Sequence, residues 1–165
     1  MKILNYAFLI LILFHGSFAF SETGKITLKE ISNEKNDWFA STRENGMRVL
    51  KIYAKTNEIT PQTLDKAFNA WKVDEGEKQA PEMVVGYGLG ILFGDFMISE
   101  TGGAWMEATN NLGSGLAVEL PTGMVAYPID SVLKRIPPNE YEISFFEPIW
   151  YSIKRETLNK SKHRD

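Results

Sequence analysis

The sequence predicts an α+β domain, because helical apolar spacing fills the first two thirds of the chain and alternating, strand-like segments follow it. The predicted order is N-terminal helices, a glycine-striped buried helix, a three-stranded antiparallel meander, a short helix and a C-terminal helix. Residues 1–19 precede this domain as a predicted signal peptide. Residues 20–165 are then expected to form a single domain, which is long enough to enclose one hydrophobic core.

The first residues have the features of an export signal. Lys2 supplies a positive charge, residues 6–14 form an unbroken apolar run, and Ser17 and Ala19 make a small-x-small cleavage site, so cleavage after Ala19 is predicted. The alternative is a membrane anchor, but the apolar run is much shorter than the roughly 20 residues that span hydrocarbon. We therefore expect a periplasmic or secreted protein, with no stable membrane insertion after cleavage.

The composition limits the chemistry that the chain can perform. It contains no cysteine, which excludes a lipoprotein anchor, disulfides, thiol nucleophiles and thiolate metal sites. His15 lies in the predicted signal peptide and His163 in the polar C-terminal tail, so a catalytic triad or a histidine-ligated zinc site lacks its imidazole. The net charge of −3 becomes −4 when Lys2 is removed, and no basic stripe indicates nucleic acid. We expect no cofactor, no metal and no nucleic-acid partner.

Two helices are predicted before the glycine-rich region. Residues 31–55 carry apolar side chains such as Trp38 and Phe39 among many charges and are predicted to form a helix, although Gly46 in its interior weakens it. Thr60 and Pro61 provide the cap and the first position of a second helix, in which apolar residues recur at i, i+4 and i+7. The polar residues 73–81, which include glycine and proline, form a predicted linker.

The stretch VVGYGLGILFGD, residues 84–95, is the most unusual part of the chain. Its glycine spacing matches neither a dinucleotide fingerprint nor a phosphate-binding loop. A membrane span needs a longer uncharged run than the one between Glu82 and Asp95. Three glycines are spaced four apart, which places them along one face of a helix: Gly86, Gly90 and Gly94. The prediction is a buried helix that another backbone approaches closely.

The period changes to alternation after the glycines at 102 and 103. Residues 104–109, 116–120 and 124–128 are predicted strands, and the short connections between them favour an antiparallel meander. On the second strand, Ala117 and Glu119 are expected to face solvent.

Two helices are predicted to close the domain. Asp130 and Ser131 are expected to cap a short helix at residues 131–136. Pro148 suits the first turn of a last, aromatic helix.

Several short motifs occur in one order along the chain: LGILFGD at residues 89–95, Trp105, Tyr-Pro-Ile at residues 127–129, and Lys-Arg at residues 134–135. This order resembles an uncharacterised bacterial family of α+β domains of unknown function, over residues 60–136. The resemblance implies helices followed by a three-stranded sheet and a further helix. It implies no activity and no catalytic residue.

Carboxylates are the catalytic groups that the composition supplies best. Glu107 and Glu119 lie on adjacent predicted strands and are candidates for an acid/base pair, which in glycoside hydrolysis requires carboxyl groups about 5 to 9 Å apart. The alternative is that both are solvated residues of amphipathic strands. Asp95 is a candidate polar group at the mouth of a cleft, or a helix-end carboxylate bonded to backbone or to an arginine.

Three further residues have both a binding and a structural interpretation. Trp105 is either an aromatic binding residue or part of the core. Lys134 and Arg135 either hold an anionic partner or complement the negative C-terminal end of their own helix.

The expected function is that of an exported bacterial envelope protein, a non-enzymatic domain that binds another protein. The partner could be an envelope protein or a toxin, which would make the chain an immunity or inhibitor factor. The alternative is an envelope hydrolase or small-ligand-binding protein that uses the carboxylates of Asp95, Glu107 or Glu119.

Overall fold

The computed structural model describes residues 26–111, 113–137 and 144–161, with side chains up to residue 157. Within them, five α-helices and a four-stranded antiparallel sheet confirm the α+β class. The predicted signal peptide and its cleavage site after Ala19 lie outside the described residues. The elements, in chain order, are β1 (Thr27–Glu30), a 3-10 turn (Asn33–Lys35), α1 (Asn36–Tyr53), α2 (Pro61–Lys72), α3 (Glu82–Thr101), β2 (Ala104–Asn110), β3 (Gly113–Glu119), β4 (Val125–Ala126), α4 (Pro128–Leu133) and α5 (Phe146–Ser161).

The start of α2 follows from its local sequence. The Thr60 side chain accepts a hydrogen bond from the backbone N–H of Thr63 at 3.2 Å, and the Thr63 hydroxyl accepts one from the N–H of Thr60 at 2.9 Å. Pro61 occupies the first helical position, where its missing N–H costs nothing. These two residues therefore begin the helix where the sequence predicted. By contrast, α1 begins five residues later than expected, at Asn36, because the 3-10 turn precedes it.

The helix α3 is the centre of the domain. It packs against α1 on one side and α4 on the other, and it ends at Gly102, whose φ of +77° reverses the chain. Its length and its mean hydropathy of 1.3 would suit a membrane span, contrary to the sequence argument from length. However, 56% of that apolar window is buried inside the protein, as in the core helix of a soluble domain.

The sheet has the order β1-β2-β3-β4, and every neighbouring pair is antiparallel. The predicted meander is therefore present, although β4 contains only Val125–Ala126. The edge strand β1 was not predicted, because its sequence TLKE has no apolar alternation. Pairing with β2 creates this strand and sets Lys29 opposite Glu107.

Two local expectations were wrong. Ala117 of β3, expected to face solvent, is fully buried, so both faces of the sheet are covered at that position. The helix α4 begins at Pro128 with Tyr127 as its cap, and not after Asp130. The hydroxyl of Ser131 donates instead to the carbonyl of Tyr127 at 2.9 Å, within the helix.

The start of α5 is held from a distance. Pro148 lies in its first turn, as predicted. The cap comes from Asp65 of α2, a residue that is only 7% exposed. This carboxylate accepts hydrogen bonds from the N–H groups of Phe145, Phe146 and Glu147 at 2.7, 3.1 and 3.1 Å. A buried carboxylate on one helix therefore docks the N-terminus of another.

Candidate functional site

The glycines of α3 determine how closely its neighbours approach. A Cβ on Gly90 would lie 2.6 Å from the Cα of Ile129, so the backbone of α4 rests directly on this position. On the same face, Gly86 lies against the side chain of Leu133. The ring of Trp105 occupies the space beside Gly94. The four-residue spacing thus places α4 and one aromatic ring of β2 against α3.

The opposite side of α3 has a second close approach. A Cβ on Gly88 would lie 2.8 Å from the Cα of Gly46, the glycine in the interior of α1. These two glycines bring α1 against α3, and the start of α1 then lies beside Tyr87. The result is that residues from α1, α3, α4 and the β2–β3 hairpin surround one concave region.

This region is an open cleft of about 470 Å³, which we call the Trp38 cleft. It is lined by Lys35, Trp38, Tyr87, Glu107, Ser114, Gly115, Leu116, Ile129, Asp130 and Leu133. Its volume is within the usual range for ligand sites, about 300 to 1,000 Å³.

One wall of the cleft is aromatic. Trp38 is 40% exposed, and its ring meets that of Tyr87 edge to face with a centroid separation of 5.7 Å. Behind it, Phe39 is buried and contacts both Trp38 and Trp105, at 5.3 and 5.4 Å between centroids. The exposed tryptophan therefore packs against aromatic rings that extend into the core.

The charged groups of the cleft are predominantly acidic. The Lys35 ammonium lies 2.9 Å from Oε1 of Glu107, and both side chains are about one third exposed. Asp130, on α4, is exposed. Burial raises the pKa of the neighbouring Tyr127, and the charge of Asp130 raises it further. Two carboxylates and one ammonium therefore face the cleft.

The structure separates Glu107 from Glu119. Glu107 is paired across the sheet with Leu116, whereas Glu119 is paired with Ala104. Residues that are directly opposite share a face, and successive residues alternate, so the two glutamates lie on opposite faces of the sheet. They do not form a convergent acid/base pair, and only Glu107 lines the cleft.

Asp95 belongs to a structural network. Arg43 donates two hydrogen bonds to it, from Nε to Oδ2 at 2.5 Å and from Nη2 to Oδ1 at 3.0 Å. The indole N–H of Trp105 donates to the same Oδ1 at 3.0 Å. The hydrogen bonds with Asp95 raise the pKa of Arg43. The carboxylate thus joins α1, α3 and β2, as expected for the arginine-bonded alternative, and it does not line the Trp38 cleft.

Trp105 and Arg135 are placed as structural residues. Trp105 is partly buried between Phe39 and Gly94. Arg135 donates from Nη1 to the carbonyl of Ser131 at 2.6 Å, and its guanidinium lies 4.5 Å from the centroid of the Phe145 ring. Burial lowers the pKa of Arg135. It therefore stabilises the end of α4, while its neighbour Lys134 is exposed.

Sequence reasoning missed most of the cleft. Of its lining residues, only Glu107 was a candidate site residue. Trp38 was visible only as one apolar residue among many charges, and Asp130 only as a helix cap. No local motif connects residues that come from four separate segments.

Comparison of the chain with family models, with curated proteins and with solved structures finds no match in any of the three. The functional argument therefore depends on the cleft and on the chemistry of its residues.

Proposed function

We propose that this chain is an exported, non-enzymatic domain of the bacterial envelope that binds another protein through the Trp38 cleft. A toxin or another envelope protein is the type of partner that its size and mild acidity favour, which would make it an immunity or inhibitor factor. Residues 1–19 support export through their charge, apolar run and cleavage site. The resemblance over residues 60–136 adds a fold and no activity.

The observation that carries this proposal is that the exposed Trp38 lies in a concave surface formed by aromatic, aliphatic and charged side chains. Single exposed apolar residues are common and need no explanation. Trp38 differs because it lies beside Tyr87 and an ion pair in the same cleft. Tryptophan and tyrosine dominate the energetic hot spots of protein interfaces, especially where a pocket surrounds them.

The experiment is capture of partners from the envelope fraction by the wild-type protein and by Trp38→Ala. We expect Trp38→Ala to lose the captured partner, since interface hot spots typically contribute about 2 kcal/mol or more. Tyr151→Ala is the matched control, because Tyr151 is 69% exposed on α5 and does not line the cleft. Circular dichroism of both variants checks that the fold is retained. Equal capture by all three proteins would contradict the proposal.

Export has its own test. Mass spectrometry of the envelope fraction should find a chain that begins at Phe20. An intact Met1 in the membrane fraction would contradict export with cleavage.

The hydrolase alternative is favoured by one feature, the presence of both Glu107 and Asp130 in the cleft. The other candidate carboxylates do not support it, because Asp95 is bonded to Arg43 and Glu119 lies on the opposite face of the sheet. Hydrolysis of envelope glycans or peptides by the purified protein would establish this alternative if Glu107→Gln or Asp130→Asn abolished it. Activity unchanged in both variants would exclude these carboxylates as its source.

A further inference from the structure

We infer that the Trp38 cleft recognises a cationic side chain, that of arginine, presented by the protein partner. This inference rests on the proposed function and specifies the chemistry of the group that enters the cleft. It combines three features of the lining: its charge, its aromatic wall and its apolar floor.

The charge of the cleft favours a cation. Glu107 is already neutralised by Lys35 at 2.9 Å, whereas Asp130 is exposed and adds a further negative charge. The cleft therefore carries one net negative charge, on a chain whose own net charge is −3. An incoming carboxylate or phosphate would meet two acidic groups and one ammonium that is already paired. Long-range attraction by the acidic chain also favours a basic partner.

The aromatic wall supplies a second attraction. A guanidinium or ammonium group within about 6 Å of an aromatic ring is stabilised by the electrons of its face, most strongly for tryptophan. Trp38 and Tyr87 both line the cleft, and 40% of Trp38 remains exposed. The domain contains a cation–π contact of this kind elsewhere, since the guanidinium of Arg135 lies 4.5 Å from the Phe145 ring centroid.

The aliphatic part of the lining, which we call the apolar floor, suits a side chain with a long methylene stem. It contains the aliphatic side chains of Leu116, Ile129 and Leu133. The methylene stem of arginine or lysine can cover such a surface while its charged end stays near Asp130 and water. A neutral sugar would gain nothing from the net negative charge of the cleft.

The test uses small probes and the indole N–H resonance of Trp38, assigned with the variant Trp38→Phe. The probes are acetyl-arginine amide, the isosteric but uncharged acetyl-citrulline amide, and acetyl-glutamate amide. We expect saturable shifts only with arginine, with a dissociation constant of about 1 to 10 mM, as suits one side chain. The citrulline probe should bind at least about fivefold more weakly, since it lacks the charge.

The variant Asp130→Asn should weaken arginine binding about three- to tenfold and remove most of the preference over citrulline. Glu75→Gln is the matched control, because Glu75 is exposed in the linker and its substitution removes the same charge from the chain. It should leave arginine binding unchanged, and about 0.5 M salt should weaken binding to the wild type.

Several results would overturn the inference. They are equal binding of arginine and citrulline, insensitivity to Asp130→Asn, saturation by a neutral oligosaccharide in place of arginine, or no saturable shift up to about 50 mM probe. If any of these occurred while Trp38→Ala still abolished partner capture, protein binding would stand and only the cationic specificity would fail. If the arginine probe bound but capture were independent of Trp38, the proposed function itself would fail.

Discussion

Gly46 of α1 and Gly88 of α3 lie so close together that neither position has room for a side chain. A Cβ on Gly46 would be 2.5 Å from the carbonyl oxygen of Gly88. Glycine in a helix interior costs up to about 1 kcal/mol relative to alanine. Close packing of the two backbones must offset that cost, and it brings the start of α1, with Trp38, beside the cleft.

Substitution of Gly90 should be destabilising even by alanine. A buried glycine face, which the sequence indicates, predicts that Gly90→Ala is near neutral or mildly destabilising and that Gly90→Val is clearly destabilising. The structure sharpens this, because the new Cβ would lie 2.6 Å from the Cα of Ile129, a backbone atom that cannot rotate away. We expect Gly90→Ala to lower the free energy of unfolding by about 1 to 3 kcal/mol, and Gly90→Val by more.

The stabilities of both Gly90 variants are compared with that of the wild type through their urea midpoints. Gly115→Ala is the control. Nothing lies within 4 Å of a Cβ at Gly115, on the β2–β3 hairpin, so that change should be within about 0.5 kcal/mol of the wild type. A Gly90→Val protein as stable as the wild type would rule out the close packing of α4 on α3.

Removal of the Asp65 carboxylate should release the start of α5. In Asp65→Ala, the buried N–H groups of Phe145 and Phe146 lose their acceptor. One unsatisfied buried donor costs about 1 to 3 kcal/mol, so a total loss of at least 2 kcal/mol is expected. Hydrogen exchange should accelerate first in α5. Asp130→Asn, on the surface, should show neither effect, and uniform acceleration throughout the domain would contradict a local capping role.

The pair Arg43–Asp95 should contribute modestly to stability. Its side chains are 44% and 22% exposed, so solvent screening limits the coupling between them to about 1 kcal/mol in a double-mutant cycle of Arg43→Met and Asp95→Asn. The control pair Arg48–Glu44 is 68% and 67% exposed and should couple by less than about 0.5 kcal/mol. Equal coupling in the two cycles would mean that the contact with Asp95 adds nothing beyond a surface ion pair.

Alkaline pH should destabilise the domain through Tyr53. Burial raises its pKa above the ordinary value, the backbone N–H of Ala80 that donates to its hydroxyl lowers it, and the negative Asp74, to which the hydroxyl donates at 2.9 Å, raises it again, so the net shift is upward. The unfolded chain therefore loses this proton first, at a pH of about 10. The contribution of Tyr53 is complete below that value and is lost as the pH rises through the higher, folded-state pKa.

The measurement is the urea midpoint across this alkaline range for the wild type and for Tyr53→Phe. The urea midpoint of the variant is expected to fall less steeply with rising pH, because the variant lacks one of the groups whose pKa is higher in the folded than in the unfolded state. Because the pKa of Tyr127 is also raised, part of the fall in the urea midpoint should remain in Tyr53→Phe. The double variant Tyr53→Phe/Tyr127→Phe should show a smaller fall still. An identical slope in wild type and variants would contradict this assignment.

The sequence by itself determined the elements whose signals are local. Thr60 and Pro61 begin α2, the uncharged apolar run and the glycines at 102 and 103 indicate α3 and its end, and alternation predicts the strands that follow. The four-residue spacing of Gly86, Gly90 and Gly94 also indicated a face without side chains, because helix geometry alone relates those positions. The absence of cysteine restricted the chemistry without any structure.

Only the tertiary structure decided which faces meet. The polar strand β1 exists because β2 offers it a pairing edge, and Gly46, a weakness in an isolated helix, is required by Gly88. The face of Glu107 depended on strand register, and the cleft required four segments to converge around Trp38. Periodicity specifies the direction of a side chain relative to its own element, whereas partners distant in sequence are selected by the packing of all the elements together.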